Sequence, residues 1–237
     1  MYLYYYILGA ILIPAIILSI YAQAKVTRTY DKYSTDYAQN NLTGKECAKK
    51  IMSANEIIDV QIEEIDGKLT DYYDSKNKTL ALSKQNANSS SISSIGVAAH
   101  ECGHAIQDKQ NYFPNKIRNL VIKIYNISSK LLMPIIIIGT IFDFILLIPK
   151  VANIFLISGI VIFGLSFLIS LVTLPVEFNA SRRALKTLKE NNILNEEEIS
   201  KAKQVLDAAA LTYVAAFLYS ALNFLRFILV FVKRNKD

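Results

Sequence analysis

The chain holds only two histidines, His100 and His104, and Glu101 stands between them in the run His100-Glu101-Cys102-Gly103-His104. On a helix, residues four apart lie one turn apart on one face, so both imidazoles reach a single metal ion. The carboxylate beside the first imidazole then holds an attacking water and takes its proton. Two histidines placed at random in 237 residues fall four apart roughly once in a hundred times, before a glutamate is required between them. The spacing points to a zinc-dependent hydrolase.

A catalytic zinc site needs a third protein ligand and leaves the fourth position to water. With no further histidine, that ligand is a carboxylate or a thiolate. Glu177, in Leu174-Pro175-Val176-Glu177-Phe178-Asn179-Ala180-Ser181-Arg182-Arg183-Ala184, is the leading candidate. Pro175 is expected to break the preceding segment and open a new helix, so the competing role for Glu177 is a carboxylate at a helix amino terminus. Cys102 falls on the side of the motif helix away from the histidines and reads as a packing residue. With only Cys47 as a second cysteine, no disulfide framework arises.

The elements that must position these groups occupy residues 25 to 130. Thr43 and Glu46 form a capping box for a helix whose apolar stripe is Cys47, Ala48, Ile51 and Met52. Val60 to Ile65 alternates as a strand up to the turn signal Asp66-Gly67, and Leu69 to Tyr73 and Thr79 to Leu82 read as two more strands. Lys84 to Ser94 reads as a loop ending in a serine cap, with the motif helix starting near Ile95. Along that helix Ile95, Ala99, Cys102 and Ile106 make one stripe, and His100, His104 and Gln107 make another. The strand Thr79 to Ser83 is either an ordinary sheet member or an edge onto which an extended peptide adds.

The rest of the chain is strongly apolar: 52% of residues are hydrophobic. Residues 2 to 22 carry no charge and are long enough to cross a bilayer. Ala22-Gln23-Ala24 resembles a signal-peptide cleavage site, but the flank Met1 to Tyr6 has no basic residue and four tyrosines, which favours an uncleaved anchor. Residues 131 to 174 carry only Asp143 and Lys150 and read as a transmembrane hairpin with a polar tip at Pro149, Lys150 and Asn153. Asp143 is placed near the outer headgroups. Lysines and arginines flank the hairpin and follow the anchor, so the positive-inside rule puts the module in the cytoplasm. The apolar stretch 208 to 237 either crosses as a further span or bends back.

The division is therefore an anchor over 1–24, a catalytic module over 25–130 and the hairpin over 131–174. A third-ligand helix and connecting segment follow over 175–207, then the final apolar helix over 208–237. The fold class is a mostly α, multi-pass cell-membrane protein carrying a zincin-like α+β cytoplasmic module with a small sheet. The net charge of +6 reads as contact with anionic lipid headgroups, with no nucleic-acid partner.

The run Ala98 to Gln107, together with Glu177-Phe178-Asn179-Ala180 after a hairpin, resembles the bacterial YugP-like membrane zinc metallopeptidases. More distantly the chain is similar to the membrane gluzincins of the heat-shock and prenyl-protein protease type. The resemblance spans most of the chain and implies zinc and peptide-bond hydrolysis, with peptides or proteins, membrane proteins among them, as substrates. Those distant relatives usually carry an aspartate four residues after the ligand glutamate, where this chain has Ser181. The expected site is zinc on His100, His104 and Glu177, with Glu101 as general base. Tyr213 is the first choice as oxyanion donor and Arg182 or Arg183 the second, with interfacial or lipid-contacting roles as the alternatives. The competing functions are a non-catalytic metal-binding scaffold and an intramembrane protease. Polar flanks at Ser89 to Ser94 and Asp108 to Asn111 weigh against the latter.

Overall fold

The computed structural model describes residues 9–146 and 149–234, and it is mostly helical with one three-stranded sheet. The chain forms two compact units. One comprises Tyr21–Asn115 and Pro175–Thr212; the other comprises, among the described residues, 9–20, 116–174 and 213–234.

The first unit carries the sheet and the motif. Helix α1 (Ile13–Ser34) enters it, and α2 (Gly44–Ala54) follows with the expected capping box. The Glu46 amide donates to Thr43 Oγ1 at 3.3 Å and the Thr43 amide donates back to Glu46 Oε2 at 2.9 Å. The anticipated stripe of α2 (Cys47, Ala48, Ile51, Met52) is buried. Strands β1 (Gln61–Ile65), β2 (Tyr72–Asp74) and β3 (Thr79–Ser83) stand in the order β1-β3-β2, with β1 parallel and β2 antiparallel to β3.

β3 is thus the central strand and offers no edge to a peptide. Its fully buried run Leu80, Ala81 and Leu82 explains the placement, because a strand apolar on both faces belongs in the middle. Just before β2 begins, the Asp71 carboxylate continues its side of β3, accepting from the Ser83 amide at 2.7 Å.

The serine/asparagine-rich segment is more ordered than its composition suggests. Lys84–Asn88 forms a short helix, α3, and the motif helix α4 runs Ile92–Lys109, capped by Ser91 rather than by a later serine. A buried polar cluster fixes this early start. The Ser91 hydroxyl accepts from the Ser94 amide at 3.3 Å, and Asn86 Oδ1 accepts from both Ser94 Oγ (3.0 Å) and Tyr30 Oη (2.6 Å). At the other end Asp108 accepts from Tyr73 Oη at 2.8 Å and from Lys78 Nζ at 2.6 Å, tying the sheet to the helix.

In the second unit, the expected hairpin departs from its outline. Its first arm begins upstream as α5 (Phe113–Ser129), breaks, and resumes as α6 (Leu132–Thr140) followed by a π turn at Ile141–Ile145. Pro134 accounts for the break: its ring displaces the carbonyl four residues earlier, at Lys130. Asp143 falls in the π turn, but its side chain lies outside the described residues, as does the tyrosine flank Met1 to Tyr6.

The second arm is the start of α7, which runs unbroken over Pro149–Glu190 with Pro175 inside it. The expectation that Pro175 ends a helix is therefore wrong. Its local penalty of about 3 kcal/mol is overridden where Val176 and Ala180 bury fully. The carboxyl-terminal stretch is likewise one helix, α8 (Glu196–Arg234). Within the second unit α7 and α8 pack through Phe163 on Phe227 (ring centroids 4.3 Å) and Phe167 on Phe224 (5.8 Å). Among the described residues, Asn153–Glu190 and Glu196–Lys233 are long and apolar enough to cross a membrane. Phe113–Ser129 with Met133–Gly139 qualifies only as a pair bent by 42°.

Candidate metal centre

Two helices of the first unit build the site. α4 buries Ile95, Ala99, Cys102 and Ile106 in the core and leaves His100 and His104 half-buried on its other side. From α7, Val176, Glu177, Ala180 and Ala184 bury along one helical face. The helices meet backbone to backbone. A Cβ built on Gly103 would stand 2.4 Å from the Ala180 carbonyl oxygen and 3.0 Å from its carbon. Glycine between the two histidines is therefore what lets α7 come close enough for Glu177 to reach them.

At the crossing, Glu177 Oε2 lies 3.2 Å from His100 Nε2 and 3.4 Å from His104 Nε2, with the glutamate only 2% exposed. One potential ligand atom from each of the three residues lies within 4.8 Å of the others. The donor chemistry fits zinc. Metal bonds of about 2.0–2.1 Å give a tetrahedron with edges of roughly 3.3 Å, which matches the two measured separations. Lone pairs of a carboxylate and two neutral imidazoles converging this closely repel unless a cation or a ring proton stands among them. No other group of His, Cys, Asp and Glu side chains with this geometry occurs among the described residues.

The outer nitrogens of both rings are also held. His100 Nδ1 lies 3.1 Å from Ser181 Oγ, so the position that carries an aspartate in the distant gluzincins still contacts this histidine. His104 Nδ1 lies 3.0 Å from Gln107 Oε1. Gln107, fully buried, donates from Nε2 to the Val176 carbonyl (2.7 Å) and to Asn179 Oδ1 (3.0 Å).

Burial pushes the Glu101 carboxyl above the ordinary carboxylate range, against the charges of His100 and His104. For His104 burial acts downward, but the hydrogen bond to Glu177 and the charges of Glu101 and Glu177 outweigh it and the pKa rises. Cys102, buried with Sγ 3.8 Å from the Ala48 carbonyl, is the packing residue its position implied.

The other anticipated residues are less central. Arg182 is exposed. Arg183 is engaged by Asn179 Oδ1 (from Nε, 2.6 Å), by Gln110 Oε1, and by the face of Tyr112, 5.7 Å away. Tyr213 begins the part of α8 assigned to the other unit. The sequence reading assigned no task to Gln107, Asn179 or Ser181. The spacing held a clue, since Gln107 follows His104 by three residues, and Asn179 and Ser181 lie within one turn of Glu177.

Comparison with known proteins agrees with this donor set. The family model described as "Putative neutral zinc metallopeptidase" matches residues 8–232. The chain is 37% identical over 225 residues to "Putative membrane protease YugP" of Bacillus subtilis (strain 168), covering 95% of this chain and 96% of that protein. No solved structure matches the chain. A match over nearly the whole length, on a chain whose two histidines and Glu177 converge, means that this protein belongs to the family of neutral zinc metallopeptidases that this model describes.

Proposed function

We propose that the protein is a membrane-bound zinc metalloendopeptidase whose catalytic module faces the cytoplasm. The observation that carries the reading is the convergence of His100, His104 and Glu177 at tetrahedral-edge spacing beside Glu101. His100, His104 and Glu177 would hold the ion. When bound, zinc supplies Lewis acidity, polarising the scissile carbonyl and acidifying water.

Glu101 does the proton work. Its carboxylate accepts a proton from the attacking water as the new C–O bond forms, then returns that proton to the amide nitrogen as the C–N bond breaks. A carboxyl whose pKa burial raises gives back more readily the proton it takes. Tyr213 is our candidate for steadying the developing oxyanion. The substrates are peptides or proteins, with membrane proteins accessible to a module next to the bilayer. Two helices of spanning length support the membrane assignment, and the Lys/Arg distribution supports the orientation. The motif helix is not among the helices both long and apolar enough to span, and it packs against a sheet-bearing core, which disfavours an intramembrane protease.

The test is zinc stoichiometry of detergent-purified protein, wild type against Glu177→Ala. About one zinc per chain, lost or much weakened in the variant, is expected. Zinc retained by the variant would move the third ligand elsewhere. No zinc in the wild type after reconstitution would leave only the fold as a scaffold.

A further inference from the structure

The hydrogen bonds behind His104 fix more than its position. The Val176 carbonyl can only accept, so the Gln107 atom 2.7 Å from it must be the amide nitrogen. Arg183 Nε can only donate, so the Asn179 atom 2.6 Å from it must be the oxygen. Both constraints agree at the Gln107–Asn179 contact, where nitrogen meets oxygen at 3.0 Å. Gln107 therefore turns its oxygen toward His104 Nδ1. An amide oxygen accepts only, so Nδ1 carries a ring proton, and in the neutral ring the lone pair is then on Nε2, the atom 3.4 Å from Glu177 Oε2. His100 has no such lock, because its partner, the Ser181 hydroxyl, either donates or accepts.

We propose that Arg183, Asn179 and Gln107 form a positioning relay that fixes the tautomer and the aim of His104, making it the pre-set ligand of the pair. The relay joins α7 to α4 on the side away from the ligand atoms. Arg183 also donates to Gln110, the residue capping the carboxyl end of α4. One guanidinium thus ties α7 to the end of α4 and, through two amides, directs a lone pair. The inference rests on the zinc reading of the site, but its proton placement stands without metal.

Two measurements test it. With only two histidines in the chain, selective ¹⁵N-histidine labelling of metal-free protein resolves both rings at alkaline pH, and His104→Gln assigns them. The expected result is His104 protonated on Nδ1 alone. A neutral His104 protonated on Nε2 overturns the relay.

The second measurement is zinc affinity by chelator competition, with the absorption bands of the cobalt-substituted protein as a check on ligand geometry. Asn179→Ala and Arg183→Leu are expected to weaken zinc about tenfold and to shift the cobalt bands, the low end of the range for residues behind a ligand. Asn179→Asp keeps an oxygen for both donors and is expected to hold zinc as wild type does. Unchanged affinity in Asn179→Ala and Arg183→Leu, or an Asn179→Asp variant as weak as Asn179→Ala, overturns the relay. Absence of zinc binding in the wild type defeats the zinc reading instead, and the tautomer measurement then decides the relay by itself.

Discussion

Gly103→Ala probes the helix crossing that makes the site. The added methyl would meet the Ala180 carbonyl oxygen at 2.4 Å, its carbon at 3.0 Å and its Cα at 3.1 Å. These are backbone atoms, so no side chain can swing aside, and reaching ordinary contact requires the helices to part by about 1 Å. Glu177 sits one turn from Ala180 on the same face of α7. Its separations from the imidazoles would then grow from 3.2 and 3.4 Å to well past the roughly 3.3 Å edge of a zinc tetrahedron.

Spreading an apparent zinc-binding energy of about 10–16 kcal/mol over four ligands gives roughly 3 kcal/mol each, or about a 100-fold loss of affinity. The effect on folding is much smaller. Overpacking costs about 1–3 kcal/mol, and alanine regains about 1 kcal/mol of helix propensity over glycine. Gly96→Ala on the same helix is the control, since its methyl would lie 3.8 Å from the Ala202 Cβ, an ordinary contact. Chelator competition for zinc, beside thermal unfolding of the metal-free proteins, reads both terms. If Gly103→Ala binds zinc as tightly as Gly96→Ala and the wild type, the crossing does not set the ligand spacing and the reasoning is wrong.

Glu101→Gln should keep zinc but lower peptide cleavage about 10²–10⁴-fold; cleavage at the wild-type rate would remove Glu101 as the base. Cys47 and Cys102 should resist alkylation at pH 8 in the native protein and react on unfolding. Burial pushes the Cys47 thiol up to about 12 from an ordinary 9.0 and Cys102 also well upward, which leaves about one Cys47 thiolate in 10⁴ at that pH. Because the folded value is the higher one, the neutral thiol's contribution to stability is complete below the unfolded pKa and is lost as pH rises from there through about 12. With both native thiols silent, Ile58→Cys, at a site 95% exposed, reports topology. An impermeant maleimide should label it in inverted vesicles and not in right-side-out ones, and the opposite pattern would reverse the orientation.

The sequence carried the half of the site that is local. His100 and His104 are one turn apart on a single helix, so spacing alone places them together. Glu177 is 77 residues from His100 and is singled out among acidic and thiol side chains by a helix start expected at Pro175 on the same side as His100, although Pro175 in fact lies inside an unbroken helix. Its partner Gly103 was in plain view, but a glycine inside a helix discloses a close approach only when the other helix is known. The errors arose where tertiary context beats local propensity. Pro175 stays inside a helix because Val176 and Ala180 are buried around it, and Ser91 starts the motif helix early because Asn86 and Tyr30 are already in place behind Ser94. Sequence leaves Thr79 to Ser83 as either an edge or an ordinary sheet member, and only the pairing decides: β1 passes over β2 to pair with β3 in parallel and makes it the central strand.

The manner in which the two helices are held apart from the metal also decides what chelation should do. Val176, Ala180, Ala184 and Leu188 of α7 are all fully buried, and the Val176 carbonyl takes a hydrogen bond from Gln107. α4 is fixed at its start by the Ser91 cluster and at its end by Tyr73 and Lys78 on Asp108. None of these contacts uses a ligand atom. The three ligands therefore sit on surfaces already built, unlike a zinc finger, in which binding energy is folding energy. Removing metal should leave the helical circular-dichroism signal intact and lower only the unfolding midpoint. Zinc at a thousandfold excess over its dissociation constant restores about 4 kcal/mol of stability, so the midpoint should return on re-addition. Collapse of the helical signal on chelation would mean instead that the ion holds α7 against α4, and that the apolar crossing is too weak to stand alone.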